Sequence, residues 1–273
     1  MGRIIGALIG YRCAMTRKPL TPISMRFDAV DALRGLAMIW MTVFHFWFDI
    51  NQFGYSRQDF YHDPFWTGQR TLIVSLFLLC AGMGQAIAVA QGQSWQRFWR
   101  RWAQVAGAAL LVTAGSWWMY PQSFIYFGVL HGIALMLILL RLMVRRAGGL
   151  WLLGAALLAV WLLAVAALEG GAAPVLVDAL NSRGLNWLGL ITHKPITEDY
   201  VPLLPWLGVM CWGGALGGWL AGPGAVLLRR PLPGLFKPLA ILGRWSLSYY
   251  LLHQPVMMGS LMALGWALSL RGA

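Results

Sequence analysis

Long apolar stretches recur along the chain, separated by short polar or basic breaks, and none shows the strict alternation of a half-buried strand. A helix needs roughly 20 mostly apolar residues to cross a hydrocarbon core. The pattern predicts about seven such spans, at 28–50, 69–90, 102–119, 124–140, 149–168, 203–221 and 245–270. A membrane barrel would need short segments of alternating polarity, which are missing. The predicted fold class is therefore all-α, a polytopic transmembrane helical bundle. Gly82 and Gly84 in the second span permit close helix approach. Pro202 and Pro205 stand at the start of the sixth, where missing amide donors cost least. Pro255 should kink or break the last stretch; a turn there would make eight spans, a variant that Arg271 favours. Between the fifth and sixth spans, residues 175–190 read as an amphipathic surface helix.

Charge gives this pattern a direction. Arg3, Arg12, Arg17, Lys18 and Arg26 precede the first span with no acid among them. Basic residues recur at every second break: Arg97, Arg100 and Arg101; Arg141, Arg145 and Arg146; Arg229, Arg230 and Lys237. The alternate breaks carry the acids, Asp59 and Asp63 in one and Glu169, Asp178, Glu198 and Asp199 in another. By the positive-inside rule the N-terminus is cytoplasmic. Residues 1–25 read as a basic cytoplasmic leader and 26–271 as one transmembrane domain, in a bacterial cytoplasmic membrane. The chain is 59% hydrophobic and 11% charged, against about 25% charged for a soluble domain. Its formal charge of +12 would suggest nucleic acid in a soluble protein. Here the cations flank apolar spans, and there is neither zinc-finger spacing nor a basic patch interleaved with aromatics, so nucleic acid is excluded as a partner. Cys13, Cys80 and Cys211 form no CxxC pair; the last two read as small core residues.

Few polar residues interrupt the spans, and such groups are costly in a membrane unless they face protein or a water-filled cavity. His45 and Asp49 are four apart in the first span, so a helix puts them on one face. A carboxylate on one ring nitrogen fixes the tautomer and raises the basicity of the other, which suits deprotonation of a hydroxyl or amine. A structural pair closing a helix interface is the plainer alternative. His62, beside Asp63 in the outer loop, is a second candidate base, although a loop histidine facing water is often without a role. His131 in the fourth span could bind substrate, relay a proton or bridge two helices. Tyr250, His253 and Gln254 gather beside Pro255. Asp31 and Arg34, three apart near the cytoplasmic end, read either as an ionic lock or as groups that orient a phosphate-bearing donor. His193 beside Lys194 reads as a solvated loop residue. No HExxH or close two-histidine spacing exists, so no metal is expected. A proton-coupled small-molecule transporter would also embed ionisable groups, but no internal repeat is visible.

The segment RFDAVDALRGLAMIWMTVFHFWFD, followed in order by FLLCAGMG, YFGVLHGIAL, PLLPWLG and GRWSLSYYLLHQPV, resembles bacterial DUF1624-type membrane proteins related to the catalytic domain of heparan-alpha-glucosaminide N-acetyltransferase. The resemblance covers about residues 26–260. It implies an acyltransferase-like domain that moves an acyl group, typically acetyl, from cytosolic acyl-CoA to an acceptor on the outer face. Arg34 and His45, eleven apart, more distantly resemble the first helix of the membrane acyltransferase-3 enzymes, which implies His45 as the essential histidine. The local match HDPFWTGQR instead implies His62. On this reading His45, Asp49 and His62 are the catalytic candidates. Asp31, Arg34, His131, Tyr250, His253 and Gln254 are the candidates for binding substrate or donor. The donor is acetyl-CoA or another acyl-CoA. The expected partners are membrane lipid and a glycan or glycolipid acceptor, with a homodimer as an open option.

Overall fold

The computed structural model describes residues 27–270, apart from the side chains at 145–147 and 229. The basic leader, Cys13 and Arg271 lie outside the described residues. Ten α-helices appear among them: α1 (Asp28–Gln52), α2 (Pro64–Ala90), α3 (Trp95–Met119), α4 (Val129–Met143), α5 (Leu150–Glu169), α6 (Pro174–Asn181), α7 (Trp206–Ala221), α8 (Ala225–Arg229), α9 (Lys237–Arg244) and α10 (Ser246–Ser269). Four of these, α1, α2, α5 and α10, are long and apolar enough to cross a membrane, and α4 is a shorter apolar helix. The chain is an all-α protein with several apolar helices, as the hydrophobic pattern requires.

Helix starts follow local chemistry and correct several predicted boundaries. Asp63 accepts a hydrogen bond from the Phe65 amide at 2.8 Å, and Pro64 takes the first helical position. α2 therefore begins five residues before the apolar run does. Ser94 caps α3 in the same way, accepting from the Arg97 amide at 3.4 Å. As a result Arg97, Arg100 and Arg101, expected in a connection, lie in the first turns of a helix. The fourth predicted span loses its first turn: residues 124–128 are not helical, and α4 starts at Val129. Instead, the segment 197–201 folds back on them, with Thr197 donating to the Phe124 carbonyl at 2.9 Å and the Val201 amide to that of Phe127 at 3.2 Å. The amphipathic helix expected over 175–190 shortens to α6, because Asn186 turns inward and donates to the Tyr126 hydroxyl at 2.7 Å. α10 runs unbroken from Ser246 to Ser269 with Pro255 inside it, so no turn divides the last stretch.

α2 holds the centre of the bundle, packed against α1, α4 and α7. Its seam with α7 is made of small residues: a Cβ on Gly82 would collide with the Met210 carbonyl, and one on Gly213 with that of Leu79. Lipid tails are as apolar as leucine, so close van der Waals approach, and not hydrophobic exclusion, drives such pairing. Gly84 faces the Arg34 guanidinium instead, so only one of the two predicted glycines serves a helix contact. Gly35 and Gly243 bring α1 and α9 together in the same close manner. α5 is peripheral. Leu150 and Gly154 are its buried residues, while Leu152 and Leu163 point outward.

Gly82→Leu should therefore separate α2 from α7 and cost about 1–3 kcal/mol through overpacking, read as a lowered Tm in detergent. Gly68→Ala, at a helical position facing open space, should leave Tm unchanged or slightly raised.

Candidate active site

The polar residues of α1 and α10 meet along one seam. Asp49, 2% exposed, accepts a hydrogen bond from Gln254 Nε2 at 2.7 Å. The His45 and His253 rings lie 5.3 Å apart between centroids. His253 is the one buried residue of α10. Its Nδ1 is 2.7 Å from the Tyr250 carbonyl, which only accepts, so Nδ1 carries the proton and Nε2 is left with a lone pair. Tyr249 stacks on His253 and reaches the Thr42 hydroxyl at 2.7 Å. Thr42 donates onward to the Met38 carbonyl, so the Tyr249 hydroxyl is the donor.

The predicted His45–Asp49 pairing is not formed. Asp49 turns to Gln254, on another helix. His45 Nδ1, Asp49 Oδ2, His253 Nε2 and Gln254 Oε1 are all buried without a hydrogen-bond partner among the described residues. A buried polar atom left unpaired costs roughly 1–3 kcal/mol. The four atoms belong to residues of α1 and α10 that the Asp49–Gln254 bond brings side by side, and each keeps an unused hydrogen-bonding position.

The histidine–carboxylate pair occurs elsewhere. His62 Nδ1 lies 3.0 Å from Asp59, which also accepts from the His62 and Tyr61 amides. Those amide bonds and the neighbouring ring hold the Asp59 carboxyl below its ordinary range. Its sequence neighbour Asp63 is the cap of α2. The His62 side chain is 86% exposed. His131 is a bridge between helices: its Nδ1 accepts from the Gly128 amide at 3.3 Å, so Nε2 carries the proton and donates to Thr113 on α3 at 3.0 Å. Asp31 and Arg34 pair at 2.9 Å. Arg244 joins them through Asp28 at 2.6 Å and Asp31 at 3.7 Å, locking α1 to the end of α9.

Below the polar cluster lies a cavity of about 840 Å³ between α1, α2, α3, α4 and α10. Its walls carry five arginines, Arg34, Arg97, Arg100, Arg101 and Arg244, with Gln85, Gln91, Gln93 and Gln104, and no acid. Beside the arginines the walls are apolar, with Met38, Phe77, Val105, Leu130, Leu137 and Leu247, and Tyr250 is among the lining residues. Guanidinium groups bind phosphate in bidentate fashion, and an apolar throat suits an uncharged chain. From sequence these arginines only marked the basic side. The overlooked signal was their spacing after Ser94: Arg97, Arg100 or Arg101, and Gln104 recur at helical intervals on one face of α3.

Asp199 was also missed. α4 begins at Gly128, which has no capping side chain, and Asp199 supplies one from the distant loop by accepting from the Val129 amide at 2.7 Å. Burial pushes its carboxyl above the ordinary range, against the opposing pull of that amide and of Lys194.

These features define a membrane protein with a cation-rimmed cavity and a buried imidazole pair on a shared seam. The family described as heparan-alpha-glucosaminide N-acetyltransferase, catalytic, matches residues 26–255, and the chain belongs to that family. It is thus a member of a membrane acetyltransferase family. No curated protein and no solved structure matches the chain.

A raised carboxyl binds its proton in the folded chain at pH values where the unfolded chain has released it, so Asp199 lowers stability as pH rises through that window. Asp199→Asn keeps an acceptor for the Val129 amide without the charge. Its Tm at pH 7 should be at least that of the parent. Asp199→Ala should lose about 1 kcal/mol with the cap. Thermal unfolding across pH 4–8, a range chosen to bracket the usual carboxylate region, measures both.

Proposed function

We propose that this protein moves an acyl group, acetyl by its family, from cytosolic acyl-CoA to an amine or hydroxyl of a glycan or glycolipid on the outer face of a bacterial cytoplasmic membrane. The observation that carries this reading is the continuity of the α1–α10 seam. Arg34, Met38, His45 and Asp49 follow one another at helical spacing on α1, and Leu247, Tyr250 and Gln254 do so on α10. Both rows begin in the arginine-lined cavity and end in the polar cluster. A cavity of this size falls within the range of roughly 300–1,000 Å³ usual for ligand sites. The cationic rim matches the phosphates of CoA, and the apolar throat matches the arm that carries the thioester. Arg34, tied to Asp31, stands at both the ionic lock and the cavity wall, so the two roles weighed for that pair are compatible.

In this mechanism His45 takes the proton of the attacking amine or hydroxyl. The acceptor atom bonds to the thioester carbonyl carbon, the carbon–sulfur bond breaks, and the proton passes from the imidazole to the leaving thiolate. The lone pair on His253 Nε2 and the spare oxygens of Asp49 and Gln254 hold the acceptor by accepting from its other hydrogens. A route through an acyl-histidine uses the same residues in two steps.

A second reading places the base at His62, supported by its orientation by Asp59 and by the family match in that loop. The two readings part on mutation. Protein in vesicles is given labelled acetyl-CoA and a panel of glycans. His45→Ala should lower kcat by roughly 10²–10⁴-fold with little change in KM for acetyl-CoA, and His62→Ala should do so only if the second reading holds. Arg97→Gln and Arg100→Gln should each raise KM for acetyl-CoA about tenfold, the worth of a charge-assisted hydrogen bond. Neither label transfer nor acetyl-CoA binding by the parent protein would defeat the assignment.

A further inference from the structure

The cavity and the polar cluster share a seam, yet none of His45, Asp49, His253 or Gln254 lines the cavity. Tyr250 stands between them. It forms part of the cavity wall, and its ring centroid lies 5.7 Å from that of His253. It also packs where two cores meet, one built around α2, α4 and α7 and the other around α1 and Phe60. We propose that Tyr250 is the partition between the donor cavity and the imidazole pair, and that its side chain must swing aside for a thioester to reach His45. The proposal rests on the acyl-CoA reading of the cavity.

The surroundings permit such a swing. Tyr250 packs on both cores but also borders the open cavity, which gives the ring space to turn into. Pro255 leaves the Leu251 carbonyl, one residue beyond Tyr250, without its helical donor, which loosens the same turn. Tyr249, next in sequence, is instead fixed through Thr42. The two tyrosines thus divide the work: Tyr249 anchors α10 to α1 while Tyr250 is held by packing. A bulky aromatic at this point also excludes water from the thioester, which protects it from hydrolysis before an acceptor arrives.

Removing the partition should uncouple cleavage from transfer. Water attacks the thioester carbonyl, the carbon–sulfur bond breaks, one water proton goes to the thiolate, and acetate and free CoA result. With reconstituted protein and labelled acetyl-CoA but no acceptor, Tyr250→Ala should bind acetyl-CoA normally and hydrolyse it about tenfold faster than the parent, since exclusion of water is what suppresses this side reaction. Tyr250→Phe, which keeps the ring, should leave hydrolysis slow and so separate loss of the ring from loss of the hydroxyl. Tyr250→Trp should bind acetyl-CoA and lose transfer. Unchanged hydrolysis by a Tyr250→Ala protein that still binds acetyl-CoA would overturn the partition. A second measurement does not depend on the reaction. In a Cys13→Ser background, the thiol of His45→Cys, which leaves the Asp49–Gln254 hydrogen bond in place, should react with a membrane-impermeant maleimide supplied at the basic end only when Tyr250→Ala is also present. Equal labelling with and without Tyr250 would overturn the proposal. Labelling that depends on Tyr250 supports it even where the parent transfers no acetyl group, a result that would defeat only the enzyme reading.

Discussion

The hydrogen bond from Gln254 to Asp49 joins the last long helix to the first within a small polar seam between mostly apolar helices. In such surroundings a carboxylate is tolerated only if something meets it. That requirement fixes how α10 lies on α1, because the rest of α10 buries almost nothing. Once the two helices are held in this register, His253 comes to face His45, Tyr249 reaches Thr42, and Tyr250 lines the cavity. Two polar contacts, Gln254 to Asp49 and Tyr249 to Thr42, therefore hold the site and the wall that divides it.

The opposite end of the molecule is organised by charge. Asp28 and Asp31 gather Arg34 and Arg244, holding α9 against α1 where Gly35 and Gly243 allow the backbones to touch. Opposite them, α3 presents Arg97, Arg100 and Arg101 to the same space, and no carboxylate is among the described residues that line it. A cavity rich in guanidinium groups beside apolar walls suits a polyanion with an apolar tail. Arg34 and Arg244 thus serve twice, locking helices together through their ion pairs and lining the cavity that the α3 arginines complete.

Much of this was legible in the chain itself. The predicted apolar stretches coincide in position with α1–α5, α7 and α10, and Gly82 was marked as a close-approach residue. The His45, Asp49, His253 and Gln254 positions were singled out as the polar breaks in their spans. Errors arose where a side chain acts over a distance. Asp49 was assigned to His45 because they share a helical face, and the geometry gives it to Gln254. His62 was read as a loop residue beside Asp63, and the carboxylate that meets its ring, Asp59, was not foreseen. Residues 124–128 looked apolar enough to be helical and are held open by a loop more than seventy residues away.

What the amino-acid order determined alone was the position of each apolar helix and the end of the molecule that is basic. Both follow from properties summed over many neighbouring residues: the free energy of placing a stretch in hydrocarbon, and the bias of cations to one side. What only the tertiary structure decided was which polar group meets which. Asp49 and Gln254 lie 205 residues apart in the chain, and the two helices that bring them together are apolar along most of their length. Local patterning carries no information on such a pairing, because hydrogen bonds are directional and short-ranged, and it takes the packing of the whole bundle to bring the partners within reach.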